Sequence, residues 1–398
     1  MANEQASRWG VIDDLAIAEA NELLNVPLRR DRMQWVEVAT RDAIRQFARG
    51  VGDDNPLWLD ADYAAGTRWQ TLLAPPSFLY AVDATIVAPK LPGVQWIYAG
   101  TRWQWLDVIR VDDAFTVNAQ LVAMEEKSGR RFGRWVLQTG EIEYRNQHGD
   151  LLALAQGRVA RTPRQRGGGS GEPANQKTTD TEVAAAPTMP PQRISRRGSQ
   201  QRLWETVTSG DSVGPDVRLL SLTDIYRWYV GAQGALHYGG AHADAVRYRH
   251  RHDDFEINKA TGAKDSAARG HFSSREGRSV GMGGAYDVGL HRISWMAAML
   301  TDWMGDDGFL AELNVDILRP NLVGDVTTLA GHVTDAWIDD NAFVSMEVEA
   351  RNQHDVITAR GHAVVALPCE RNPVRLPLFD GDPSGFRALE AQQRPATR

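Results

Sequence analysis

The chain contains one structural unit twice. The clearest sign is a pair of turn sequences, at 145–150 (RNQHGD) and 351–355 (RNQHD), each followed by alternating apolar and polar residues. Polar turn residues before such an alternation predict a β-hairpin at the same place in both copies. A repeat of this length restricts the 398-residue chain to two similar domains.

Two further matches support the repeat. Residues 106–110 (LDVIR) and 315–319 (VDILR) stand at corresponding places upstream of the turns. Earlier still, Thr40 and Thr223 each precede apolar residues at helical spacing, and Thr is a favoured N-cap residue. Each copy is therefore predicted to begin with a short helix that starts at its Thr.

The segment between the copies is rich in Gly, Pro and polar residues. Such a composition buries too little apolar surface to offset the conformational entropy lost on folding. We therefore divide the chain into a first domain (1–162), a disordered linker (163–202), a second domain (203–378) and a tail (379–398).

Each copy is predicted to contain a helix followed by four strands. In the second copy the helix spans 290–304, with strands at 312–318, 325–333, 342–350 and 357–367. In the first copy a weaker helix spans 77–87, with strands at 94–104, 115–124, 133–144 and 151–159. One long helix wrapped by an antiparallel sheet in each half is an α+β architecture, the tandem or double hotdog.

Composition excludes several classes of protein. A net charge of −7 disfavours nucleic acid or an anionic membrane surface as the main partner. No apolar stretch approaches the roughly 18 residues of a membrane span, and residues 1–10 lack the apolar core of a signal peptide. The single Cys369 cannot form an internal disulfide. These features predict a cytoplasmic protein.

Residues 52–60 (GDDNPLWLD) and 74–76 (APP) resemble the N-terminal half of MaoC-type acyl-CoA dehydratases. Residues 285–292 (AYDVGLHR) and 300–308 (LTDWMGDDG) resemble the C-terminal half of the same family. The resemblance implies a double-hotdog enzyme that adds water to, or removes it from, a 2-enoyl thioester of coenzyme A. It implies no metal and no organic cofactor.

The resemblance also implies the kind of active site. The family pattern Gly-Asp-x-Asn-Pro-x-His supplies a carboxylate and an imidazole that hold one water, as acid–base addition to a double bond requires. The thioester oxygen would bind backbone amides at the N-terminus of the long helix. Tyr286 and Gly289, at that N-terminus, are then expected to bind substrate.

The first copy departs from the family pattern at one position. Asp53, Asn55 and Pro56 are in place, but Trp58 stands where the imidazole should be. Without a group that transfers protons, we expect this loop to bind the acyl chain of the substrate, with Trp58 in the wall of the tunnel.

The second copy departs differently. Matching residues 241–244 (AHAD) to the family places His242 at the imidazole and His237 where the family has Asp. Either His237 takes the second role, as one imidazole of an acid–base pair, or Asp287 supplies the missing carboxylate. A carboxylate beside a helix N-terminus can equally be structural, and the sequence leaves both interpretations of Asp287 open.

The segment 245–280 is rich in His and Arg. Its spacings match no usual metal-ligand pattern and its arginines would repel a cation, so we predict no metal site. We expect a solvated lid whose arginines contact the phosphates of coenzyme A. Gly281, Gly283 and Gly284 lack the Lys-Ser/Thr of a phosphate loop and indicate a turn or a close backbone approach to the thioester.

Three functions follow from these observations. The leading one is an acyl-CoA hydratase or dehydratase with its chemistry in the second half. A hotdog acyl-CoA thioesterase, with Asp287 activating water, is an alternative, and a non-catalytic acyl-CoA-binding subunit is another. Because two hotdogs in one chain already pair their helices, a monomer and a homodimer both satisfy the packing.

Overall fold

The computed structural model describes residues 10–28, 35–129, 132–163, 198–232, 262 and 268–381, together with 383, 385–387 and 389. The first half contains helices α1 (Asp14–Asn21), α2 (Arg41–Val51), α3 (Pro56–Leu59), α4 (Ala61–Ala65) and α5 (Leu79–Val82), with a 3-10 turn at Pro76–Phe78. Its strands are β1 (Pro27–Leu28), β2 (Leu73–Ala74), β3 (Gln95–Trp105), β4 (Ile109–Arg110), β5 (Thr116–Gly129), β6 (Gly133–Arg145) and β7 (Leu151–Thr162).

The second half repeats this order. Its strands are β8 (Ser212–Leu219), β9 (Phe309–Ile317), β10 (Val326–Ile338), β11 (Ala342–Asn352) and β12 (Ile357–Leu367). Its helices are α6 (Leu222–Tyr226), a π-helical turn (Arg227–Ala232), α7 (Arg269–Phe272), α8 (Ser274–Ser279) and the long α9 (Gly289–Met304), with a 3-10 turn at Trp204–Thr206. Within the described ranges, no helix is long and apolar enough to cross a membrane.

The two halves share one antiparallel sheet of ten strands, in the order β1-β5-β6-β7-β3-β9-β12-β11-β10-β8. Strands β3 and β9 pair at its centre, where Gly100 lies opposite Asp316. A Cβ at Gly100 would lie 2.1 Å from the carbonyl oxygen of Val315, so only glycine permits this approach. Arg102 and Glu312 form an ion pair across the same seam, at 3.0 Å. The double hotdog predicted from the sequence is confirmed.

The turns that revealed the repeat have matching hydrogen bonds. The Gln147 side chain accepts the backbone N–H of Ala114 at 2.9 Å, and the Gln353 side chain accepts that of Val326 at 3.0 Å. Each turn also begins with an Asn, Asn146 or Asn352, whose Oδ1 accepts two backbone N–H groups. The second-half helix is confirmed as well, with nearly every residue of α9 buried.

Two local predictions were wrong. The first-half helix ends at Val82 rather than 87, because the Asp83 carboxylate accepts the N–H of Thr85 at 2.9 Å and Thr85 adopts φ 57°. A side chain that bonds to the backbone in this way competes with helix continuation. The second short helix is capped by Ser221 in a capping box and not by Thr223, which lies within its first turn. Thr40 is confirmed as the N-cap of α2.

Candidate active site

The chain enters the central helix of each half through the same backbone arrangement. The N–H of Val111 donates to the carbonyl oxygen of Leu72 at 3.0 Å, and the N–H of Val323 donates to that of Ala285 at 2.9 Å. This correspondence aligns the first-half residues Leu73, Ala74, Pro75 and Pro76 with Tyr286, Asp287, Val288 and Gly289. The two helix entries can therefore be compared residue by residue.

In the first half, the loop after α2 carries the residues of the family pattern. The Trp58 indole N–H donates to Oδ2 of Asp53 at 3.0 Å, while Oδ1 of Asp53 accepts the N–H of Asn55 at 3.1 Å. The Asn55 side chain caps α3 by accepting the N–H of Leu57 at 3.0 Å. Asp53, Asn55 and Trp58 are all buried. An indole thus binds the Asp53 carboxylate at the position where the resemblance predicts an imidazole.

A second carboxylate, from the second half of the chain, hydrogen-bonds to residues in and near this loop. The sequence did not single it out. Asp306 follows α9 and accepts the Tyr63 hydroxyl at 2.5 Å and the Asn55 side-chain amide at 3.5 Å. Its backbone oxygen accepts the Trp69 indole N–H at 2.7 Å. Asp306 lies in segment 300–308, which resembles the family, and that was the only sequence signal for it.

A cavity of about 30 Å³ lies between this loop, Trp105 and the C-terminal end of α9. That volume holds about two water molecules and is too small for an acyl chain. The substrate-binding role of Asp53, Asn55 and Trp58 therefore stays a prediction, and it would require Trp58 to move.

In the second half, no side chain among the described residues caps the N-terminus of α9. Val288 stands at the N-cap position and accepts the backbone N–H groups of His291 and Arg292, at 2.9 and 3.3 Å. The amides of Gly289 and Leu290 belong to the first turn, which has no partner within a helix. Gly289 faces Tyr98 of the first half, because a Cβ there would lie 3.0 Å from the Tyr98 ring. This helix end carries a partial positive charge, which favours an anionic or polar oxygen near it.

Asp287, the candidate second carboxylate, forms a buried bidentate ion pair with Arg292. Its two oxygens accept Nη2 and Nε of Arg292 at 2.6 and 2.7 Å, and Oδ1 also accepts the N–H of Asn321 at 3.0 Å. Arg292 donates further to the carbonyl oxygens of Arg319 and Thr358. This geometry favours the structural interpretation of Asp287 that the sequence left open, and its catalytic role stays a prediction.

Tyr286 packs against His271, with ring centroids 4.2 Å apart. Nδ1 of His271 lies 2.9 Å from the carbonyl oxygen of Tyr286. Burial, and then the charge of Asp287, raises the pKa of Tyr286 to about 12. Burial lowers the pKa of His271 below its ordinary value, although its contacts with Tyr286 and Asp287 oppose the shift. Both side chains are therefore neutral near pH 7.

His291 is a second imidazole that the sequence analysis did not single out. It is 1% exposed and lies between the indoles of Trp228 and Trp295, at centroid distances of 5.0 and 4.4 Å. Burial, followed by the charges of Arg218 and Arg227, holds its pKa well below the ordinary value. Its Nδ1 has no hydrogen-bond partner among the described residues. A lone His within an apolar helix pattern gave no sequence signal for this environment.

The two histidines placed at the reaction by the sequence, His237 and His242, lie outside the described residues. So does most of segment 245–280, and within the part of the chain that is described no three His, Cys, Asp or Glu residues cluster as metal ligands do. The described chain stops at Ala232 and runs on from Ala268. The ring centroids of Tyr229 and Phe272, near these two ends, are 5.1 Å apart.

Comparison with known sequences and structures agrees with this fold. Residues 32–155 match the family model described as "FAS1-like, dehydratase domain region". A UPF0336 protein of Parafrankia sp. is 32% identical over 123 residues, which cover 28% of this chain and 76% of that protein. A UPF0336 protein of Streptomyces coelicolor is 28% identical over 97 residues, 64% of its length.

Among solved structures, a MaoC-like dehydratase aligns with a TM-score of 0.60 at 14% identity, covering 88% of this chain and all of that one. A conserved hypothetical protein of Mycobacterium tuberculosis, described as having a double hotdog fold, aligns with a TM-score of 0.51 at 14% identity over 84% of this chain and 94% of its own. The chain therefore belongs to the family of the UPF0336 proteins, and it has the double-hotdog fold of MaoC-like dehydratases.

Proposed function

We propose that this protein hydrates a 2-enoyl thioester of coenzyme A, or dehydrates the corresponding 3-hydroxyacyl thioester, in its second half. The observation that carries the proposal is the uncapped N-terminus of α9. At the corresponding position the first half has Pro76, which has no backbone N–H to donate. Only the second-half helix thus offers donors at its first residue.

The first turn of α9 would hold the thioester oxygen. As an enolate forms, that oxygen gains negative charge, and the amides of Gly289 and Leu290 together with the helix dipole stabilise it. Tyr286 and Tyr98 flank this position. Two fixed donors in a dry site supply the electrostatic part of the catalysis without any metal or cofactor.

His242 would activate the water and exchange the proton at the α-carbon, with His237 or Asp287 as its partner. The segment that contains both histidines follows Ala232. Tyr229, just before it, has its ring 6.0 Å from that of His271, which lies after it. Because His271 in turn contacts Tyr286, both ends of the segment lie close to the entry of α9. This proximity supports a role for the segment at the second-half site.

The proposal also includes a diffusible acyl-CoA substrate and a cytoplasmic location. Either His237 or Asp287 could be the partner of His242. Because Asp287 already forms an ion pair with Arg292, we favour His237. Loss of one acid–base group lowers a rate by about 10²- to 10⁴-fold.

The test follows the enoyl absorbance of crotonyl-CoA with purified protein, beside an assay for free thiol. We expect the absorbance to fall without thiol release, and His242→Ala to reduce kcat at least about 100-fold with an unchanged Tm. His148→Ala is the matched control, because His148 lies in the exposed first-half turn. His237→Ala and Asp287→Asn, measured in parallel, identify the second group.

Thiol release in place of hydration would instead establish the thioesterase. Binding of butyryl-CoA with neither reaction would establish a non-catalytic binding subunit. Full activity in His242→Ala would show that the assignment of the imidazole is wrong.

A further inference from the structure

At four positions around the entry of the central helix, the buried side chains are polar in the second half and apolar in the first. The corresponding first-half residues are all buried and apolar: Ala74, Phe78, Leu79 and Ile109. In the second half the same positions hold Asp287, His291, Arg292 and Asn321, each no more than 3% exposed. The fold is therefore compatible with apolar residues at these positions, and it does not by itself explain why the second half has four polar ones.

Two of the four side chains pair their polar groups with each other. Asp287 and Arg292 form the bidentate ion pair described above, and Arg292 has two further acceptors. The other two side chains each retain a buried atom that no described residue hydrogen-bonds, Nδ1 of His291 and Oδ1 of Asn321. The Asn321 amide nitrogen donates to Thr327 at 2.8 Å, which fixes the orientation of the side chain. Buried polar atoms without partners are rare, because each loses its hydration without compensation.

His291 is the third residue of α9, and its imidazole packs between the indoles of Trp228 and Trp295. Side chains on a helix lean towards its N-terminus, so a residue at the third helical position covers the turn that contains Gly289 and Leu290. Arg218 and Arg227 oppose protonation of the ring, and no shift of the opposite sign acts on it. A neutral imidazole donates one hydrogen bond and accepts one.

We propose that His291 and Asn321 bind the oxygen that the reaction adds or removes, which is the hydroxyl at C3 of a 3-hydroxyacyl thioester. An amide oxygen accepts the O–H, and a ring nitrogen completes the bonds of the same oxygen. The amides of α9 hold the thioester oxygen two carbons away. This inference rests on the proposed function, and it names the group that the second-half site recognises.

The test compares the affinities of butyryl-CoA and (R)-3-hydroxybutyryl-CoA, measured by calorimetry. The host is the full-length His242→Ala protein, in which the proposed chemistry is blocked. We expect the hydroxyl to improve affinity at least about tenfold, the value of one well-made hydrogen bond to an otherwise unpaired group. His291→Phe and Asn321→Ile, which copy Phe78 and Ile109, should each reduce the difference to less than threefold.

Stability separates a role in binding from a structural one. Replacing an unsatisfied buried polar group by an apolar one of similar shape is neutral or stabilising, so His291→Phe should not lower Tm. Asn321→Ile also removes the hydrogen bond to the buried Thr327 hydroxyl and should lower Tm modestly, without unfolding the protein. His354→Phe, in the second-half turn, is the control that should retain the preference for the hydroxyl ligand. If His291→Phe does not fold, the ¹⁵N-histidine spectrum of the host replaces it, and the hydroxyl ligand should shift an imidazole signal that butyryl-CoA leaves unchanged.

Equal affinity for both ligands in the host would overturn the inference, and so would an undiminished preference in both variants. Failure of the proposed function looks different: the wild-type protein would then leave crotonyl-CoA unchanged, whatever the two affinities are.

Discussion

The two halves differ most at the entry to their central helices. In the first half Pro75 and Pro76 lead into a 3-10 turn, and the helix ends at Val82. In the second half Val288 and Gly289 begin a helix of 16 residues. Because proline has no N–H, the first entry cannot donate from the positions where the second can. The duplicated sheet is thus kept in both halves, whereas the donors for a negatively charged oxygen are kept in one.

The polar groups near the two helices also differ between the halves. In the first half Trp58 binds the Asp53 carboxylate and almost fills the space beside it. The second-half entry instead carries a buried ion pair and two buried polar atoms without partners. Buried ion pairs add little net stability compared with apolar packing. The first half has apolar residues, Ala74 and Leu79, at the positions of the pair. Stability alone therefore does not account for the polar residues of the second half.

The largest expected effect comes from breaking the buried pair. Asp287→Ala should lower the free energy of unfolding by about 3–5 kcal/mol, because Arg292 is left charged and uncompensated. Urea denaturation measures this. The double variant Asp287→Ala/Arg292→Leu, which copies Ala74 and Leu79, should recover most of the loss. Asp42→Ala, which breaks an exposed pair with Arg45, should cost less than about 1 kcal/mol.

The next effect concerns the helix amide. Gly289→Pro copies Pro76 and removes one donor, and it should reduce kcat for crotonyl-CoA about 100-fold or more, roughly 3 kcal/mol. Proline is tolerated at the first helical position, so the fold should persist. Gly289→Ala is the matched control, since it adds the same contact with Tyr98 and keeps the N–H. Equal activity in the two variants would exclude this amide from the reaction.

A smaller effect is expected in the first half. Trp58→Phe removes the donor to Asp53 and should lower the free energy of unfolding by about 2 kcal/mol, the value for a buried hydrogen bond to a charged group. The hydration rate should not change, because this half lacks the donors for the thioester oxygen. A large fall in kcat would show that the first-half loop takes part in the reaction.

The smallest effect is a dependence of stability on pH. The folded-state pKa values of His271 and His291 lie below the ordinary value of about 6.5, so the unfolded chain binds protons more readily. Stability is therefore full above about pH 6.5 and falls as the pH drops below it, by at most about 1.4 kcal/mol per pH unit for each imidazole.

His291→Phe removes one of these two contributions. Its unfolding free energy, measured between pH 7 and 5, should fall less steeply than that of the wild type. His148→Phe, at an exposed position, should leave the slope unchanged. A wild-type slope in His291→Phe would show that His291 is not held neutral.

Much of the fold could be predicted because it depends on local pattern. Alternating residues located all eight long strands of the two meanders to within a few residues, and helical spacing located α9. The first-half helix was overestimated because Thr85 adopts a backbone conformation that no spacing reveals. The structure has Asp53, Asn55 and Trp58 in the loop after α2, and Tyr286 and Gly289 at the entry of α9, whereas their roles stay predictions.

The partners of these residues were not predictable in the same way. Tyr63 and Asp306 are 243 positions apart in the chain, and nothing local links them. The engagement of Asp287 by Arg292 and the unpaired atoms of His291 and Asn321 depend on which neighbours the sheet and α9 bring close.

The sequence by itself determined that a unit is repeated and where its strands and long helix lie. By resemblance it also predicts that the two copies depart from one catalytic pattern in different ways. Only the tertiary structure decided which helix entry has donors, which carboxylate is already paired, and how little space remains beside Trp58. Periodicity reports which face of an element is buried, whereas hydrogen bonding and residual volume depend on atoms contributed by distant parts of the chain.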